Sequence, residues 1–79
     1  MRKVKNPSID EYVLLAKYSD KGLRDPWEIG FLAEIVIDQF GKYFRVEGDS
    51  RRFRHCWRIN STEANERILN AKVIGDFHE

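Results

Sequence analysis

Residues 42–59, KYFRVEGDSRRFRHCWRI, carry two runs of β-forming side chains on either side of the polar turn Gly48-Asp49-Ser50. Residues 43–47 read as one strand and residues 52–59 as the next, because aromatic and branched side chains fit a pleated, half-buried surface. Successive side chains of a strand point to opposite faces. Along the second run this puts Phe53, His55, Trp57 and Ile59 on one face and Arg52, Arg54, Cys56 and Arg58 on the other. Aromatic rings interleaved with guanidinium groups on a small sheet suit the binding of anions, bases or flat cations better than they suit chemistry.

Upstream, the odd positions of residues 27–37 are Trp27, Ile29, Phe31, Ala33, Ile35 and Ile37, while Glu28, Gly30 and Glu34 fall between them. A period of two predicts a half-buried strand, with Gly30 marking a bulge or a close backbone approach. Asp38-Gln39-Phe40-Gly41 forms the turn into residue 43. Residues 19–26 form a loop on their Ser, Asp, Gly and Asp-Pro chemistry. Residues 12–18 favour a strand, but Ser8-Ile9-Asp10-Glu11 matches a helical capping box, so helix remains the alternative for residues 9–16. Residues 1–7 are expected to be a basic flexible tail ending at Pro7. Downstream, Asn60-Ser61-Thr62 starts a helix over about 62–71, with Ala64, Ile68 and Ala71 on one face and Leu69 at its margin. Val73-Ile74 is expected as a last short strand or docking segment, and residues 75–79 as a frayed terminus.

A chain of 79 residues is one domain, here residues 8–74, and at this size it buries only about 60–65% of the surface its unfolded form exposes. Closely spaced strands and a short terminal helix predict a mainly β fold. Closure removes exposed edges, so an SH3-like or Tudor-like small barrel of four to five antiparallel strands is expected. The alternative is an open antiparallel sheet with the helix packed on one face. Cys56 is the single cysteine, which excludes an internal disulfide and fits a reducing cytoplasm. Met1-Arg2-Lys3-Val4-Lys5 is not followed by an apolar run, so no secretory leader is read, and no stretch is long enough to span a bilayer. Net charge is +1, yet residues 1–5 carry +3, residues 6–41 carry −4, residues 42–58 carry +4 and residues 59–79 carry −2.

Arg52, Arg54 and Arg58 are therefore the leading candidates for phosphate contacts, at repeats of about 7 Å on a strand face. Tyr43 or Phe44, from the neighbouring strand, is placed to stack a base. The bland reading of the same arginines is a solvated face paired to Glu28, Glu34 or Glu47. Tyr18, Trp27, Phe31, Phe53 and Trp57 invite an aromatic cage for a methylated ammonium, but Phe31, Phe53 and Trp57 are better read as core, with Trp27 and Tyr18 at the rim of the 19–26 loop. His55 and Cys56 are strand neighbours on opposite faces and cannot share an ion. His78 completes no zinc set, and Asp20, Asp25 and Glu28 lack calcium-loop spacing. No cofactor or metal is expected, and no residue set specifies an enzyme.

Tyr18-Ser19-Asp20, Asp25-Pro26-Trp27, Gly30-Phe31, Tyr43-x-Arg45-Val46, Arg52-x-Arg54 and Arg58-Ile59 together resemble uncharacterised small proteins encoded by phages and prophages, over about residues 12–70. The resemblance implies a compact SH3-type barrel and a cytoplasmic binding or inhibitory role. The expectation is a non-enzymatic module that binds nucleic acid or another polyanion. The alternative is a protein–protein module, or inhibitor of a host protein, using Trp27, Leu23, Leu32 and Tyr18 around the loop. Monomer and small homo-oligomer both stand, the latter through Leu32 and Val36 on the even face of residues 27–37.

Overall fold

The computed structural model describes residues 1–19 and 23–77, with side chains through residue 71. Five strands, β1 (Arg2–Lys3), β2 (Tyr12–Ala16), β3 (Trp27–Asp38), β4 (Gly41–Val46) and β5 (His55–Arg58), precede one helix, α1 (Ser61–Phe77). The strands form a single antiparallel sheet in the order β1-β5-β2-β3-β4. The sheet is open, not the closed barrel expected from the sequence. It curls far enough for Phe44 of β4 to make one isolated bridge with Phe53, the two residues exchanging N–H···O bonds of 2.7 and 2.9 Å. Closure stops there because β1 occupies the edge of β5 that β4 would have to reach.

The central strand explains why periodicity could not decide residues 12–16. Val13 and Leu15 belong to one core with Leu32, Phe44, Val46, Phe53 and Cys56. Leu14 and Ala16 belong to a second core with Leu23, Trp57, Ile59 and Ala64. A strand buried on both faces shows an unbroken apolar run. The capping-box residues do meet, but on a turn: the Ser8 N–H donates to Glu11 Oε2 at 2.9 Å and the Glu11 N–H to the Ser8 carbonyl at 3.0 Å.

The even–odd reading of β3 fails at an irregularity between Leu32 and Glu34. An extra residue in one strand swaps the faces beyond it. Leu32 lies in the first core, and past the bulge Ile35 packs against that core instead. Trp27 and Ile29 pack against the second core. Phe31, expected inside, is 52% exposed, and Ile37 is 73% exposed. Gly30 is not the bulge. A Cβ there would stand 3.3 Å from the Val46 Cβ, so the glycine admits a side chain of β4. With Leu32 buried, the Leu32–Val36 dimer patch is not present as a surface pair.

Two further corrections concern the ends. The segment at residues 1–7, expected to be a flexible tail, is tied down: β1 pairs with β5, Val4 N–H donates to the Cys56 carbonyl at 2.9 Å, and Pro7 is buried. The helix extends to Phe77, so Val73-Ile74 is helical and not a strand. Asn60 caps it, accepting the Glu63 N–H at 2.9 Å while its amide donates to Glu63 Oε1 at 2.6 Å. This reciprocal cap satisfies donors that a helix start leaves open. The remainder of the expected frayed terminus, residues 78–79, lies outside the described residues.

Candidate anion-binding surface

The second strand of the opening stretch is shorter than its composition implied. Arg54 sits in a bend and β5 begins only at His55. Phe53 and Cys56 therefore share the first core, whereas Trp57 and Ile59 share the second, and Cys56 does not lie on an arginine face. Arg52, Arg54 and Arg58 do not form a regular row. Arg58, at the far end of β5, is bonded to Glu11, and its guanidinium holds that carboxyl below the usual range. Arg51 binds Asp49 and Glu28, and Arg45 binds Glu34 at 3.2 Å. Of the three arginines weighed for the bland reading, Arg54 and Arg58 are paired, but to Asp38 and Glu11 rather than to Glu28, Glu34 or Glu47.

Arg52 and Arg54 remain together through Tyr43, whose ring centroid lies 5.0 Å from the Arg52 guanidinium and 5.5 Å from that of Arg54. Arg52 makes no ion pair among the described residues. Arg54 bonds both oxygens of Asp38, at 3.1 and 2.9 Å. Phe44 is buried in the first core, so it cannot stack a base, and Tyr43 is the only one of that pair at the surface.

Arg54 also borders a hollow of about 330 Å³ that the sequence did not foretell. Lys3 and Lys5 line it from the N-terminal segment, Lys42 from the start of β4 and His55 from β5. Pairing of Lys3 with Trp57 in the β1–β5 ladder brings the first segment there. Lys42 Nζ then donates to the Lys5 carbonyl at 3.2 Å and to Asn6 Oδ1. Lys3 donates to Ser19 Oγ and stands 5.4 Å from the Trp57 ring. The imidazole of His55 is pushed below its ordinary value, first by burial and then by the Lys3 charge. Burial disfavours the charged imidazole, and the nearby ammonium adds to that effect. The only sequence signal for the convergence was the basic composition of residues 1–5, because a two-residue strand is too short to show periodicity.

The residues of the alternative site are not assembled as a surface. Leu23 and Leu32 are fully buried. Trp27 is half-buried with the Arg67 guanidinium 4.8 Å from its ring, and Arg67 also donates to the Leu23 carbonyl. Tyr18 is half-buried with Arg24 4.3 Å from its ring. Of the five aromatics proposed for a cage, Phe53 lies in the first core, Trp57 and Trp27 in or against the second, Tyr18 under Arg24, and the exposed Phe31 packs 5.1 Å from Tyr12. A groove of about 600 Å³ between residues 23–27 and α1 has a rim of both signs, with Arg24, Asp25, Glu63 and Glu66.

Cys56 is buried, and loss of hydration raises its thiol to about 12, so it is no nucleophile at neutral pH. Among the described residues no three His, Cys, Asp or Glu side chains are grouped to hold a metal. Asp20 and His78, weighed as ligands from the sequence, lie outside the described residues, and Glu28 is engaged by Arg51. Among the described residues no helix is long and apolar enough to cross a membrane. The class these observations define is a small open antiparallel β protein with one capped helix and a cationic hollow. No protein-family model matches the chain, and neither a curated protein nor a solved structure matches it.

Proposed function

We propose that this protein is a non-enzymatic nucleic-acid-binding module that grips the phosphate backbone through Lys3, Lys5, Lys42, Arg52 and Arg54. The observation that carries the reading is the convergence of two sequence-distant basic segments on one hollow. Phosphate contacts dominate nucleic-acid affinity and need cations at several points along a strand. The outer arginines, each matched to a carboxylate, contribute little. Tyr43 already lies beside two guanidinium groups, so a base stacks there only by displacing one of them. Backbone contact therefore outweighs base stacking, and weak sequence preference follows. The protein-interaction alternative loses Leu23 and Leu32 to the cores.

Fluorescence anisotropy of labelled single-stranded and duplex oligonucleotides tests the reading. With about four phosphates neutralised on duplex DNA, affinity falls about 100-fold between 50 and 200 mM salt. Absence of saturable binding at the lower salt removes the proposal.

A further inference from the structure

Among the described cations of the hollow, Arg54 is the one that already holds an anion. Lys3 and Lys42 donate to the neutral oxygens of Ser19, Lys5 and Asn6. Arg54 instead donates to both carboxylate oxygens of Asp38, at 3.1 and 2.9 Å. This two-pronged geometry is the one arginine also uses for phosphate. Asp38 does not depend on Arg54 for its position. It ends β3, and its Oδ1 accepts the Phe40 N–H at 2.8 Å, which fixes the carboxylate through the β3–β4 turn. The pair is exposed, with side chains 40% and 32% accessible, so a ligand can reach it.

Resting on the nucleic-acid reading, we propose that Asp38 is a built-in competitor for the phosphate position on Arg54 and so limits the affinity of the hollow. A phosphodiester reaches Arg54 by taking the place of the carboxylate. The consequence is specific to salt dependence. A phosphate that meets a free cation releases a condensed counterion. A phosphate that meets Arg54 also releases Asp38, which then attracts a cation of its own, and the two effects nearly cancel. Asp38→Asn keeps an oxygen for the Phe40 N–H and removes the competing charge.

Anisotropy titrations of a fluorescein-labelled oligothymidylate against wild type, D38N, E47Q, R54A and D38N/R54A test this. Glu47 is exposed on the same hairpin and forms no ion pair among the described residues, so E47Q reports the effect of net charge alone. D38N is expected to bind about five- to tenfold more tightly at 50 mM salt, with a log–log salt slope steeper by about 0.9. E47Q is expected to change affinity less than about twofold, since an exposed charge at a distance is screened. The gain from D38N is expected to disappear when Arg54 is absent. An equal gain from E47Q, or a gain that survives R54A, overturns the role of Asp38 while leaving the nucleic-acid reading in place. If neither wild type nor D38N binds at low salt, both are overturned.

Discussion

Arg45, Arg51 and Arg58 carry the same formal charge as Lys3, Lys5 and Lys42, yet the two groups stand in different company. Each of the arginines is in contact with at least one carboxylate: Glu34, Asp49 with Glu28, and Glu11. The lysines surround a hollow whose one described acid contact is made by Asp38 to Arg54. A count of basic residues treats both regions alike, but the field each offers a ligand depends on what lies within a few ångströms. Of the +4 segment that dominated the sequence, four arginines are paired with carboxylates, and among them only Arg54 borders the hollow. The +3 of residues 1–5, which looked incidental, supplies half the lysine and arginine side chains around the hollow.

Three experiments sharpen this contrast, beginning with the largest effect. Phe44 was a stacking candidate, but it is a core residue beneath the hollow. Phe44→Ala is expected to destabilise the fold by about 3–5 kcal/mol through the cavity it leaves, read by urea denaturation. Tyr43→Ala, at the surface, is expected to cost far less stability in the same denaturation. Next, Asn60→Ala removes the helix cap and is expected to lower stability by about 1 kcal/mol with oligonucleotide affinity unchanged, since α1 takes no part in the hollow. The smallest effect is a proton titration. His55 is expected to titrate below about 6.5 in the free protein by NMR, and to move upward when an oligonucleotide supplies negative charge.

The same shifts fix the sign of the pH dependence. His55 has a folded-state value below its unfolded one, so the unfolded chain binds the proton more readily. Stability therefore falls as pH drops through the ordinary imidazole range of about 6.5 towards the depressed folded value. Glu11 and Asp49 are held low by Arg58 and Arg51 respectively. Their contributions are present above the ordinary carboxylate range and are lost as pH falls below about 4. The hollow gains charge over the same first interval, so on the proposed function oligonucleotide affinity is expected to rise as stability begins to fall.

Much of the fold was legible in the sequence. Alternation located β3, turn chemistry at Asp38-Gln39-Phe40-Gly41 and Gly48-Asp49-Ser50 bounded β4, and Asn60-Ser61-Thr62 announced the helix. Faces were harder. The bulge after Leu32 and the bend at Arg54 each shift the phase by one residue, which turned Ile35 towards the first core and brought Cys56 inside. Neither irregularity has a dedicated residue type, so no local pattern reveals it. Barrel closure depended on whether β5 had a free edge, and that was decided by Arg2–Lys3, a pair too short to read as a strand. The candidate site was half legible for the same reason. Arg52, Arg54 and Tyr43 were found from alternation, whereas Lys3, Lys5 and Lys42 became neighbours only through tertiary pairing.

The central claim is that position around the hollow, not total charge, governs binding. Two double variants with equal loss of charge test it directly by oligothymidylate anisotropy: Lys5→Gln with Lys42→Gln, and Arg45→Gln with Arg58→Gln. The first pair is expected to weaken binding at least about tenfold at 50 mM salt and to flatten the salt slope by about 1.8, the share of two phosphates. The second pair is expected to change affinity less than about threefold, because those arginines are neutralised where they stand. Equal losses from the two pairs contradict the account.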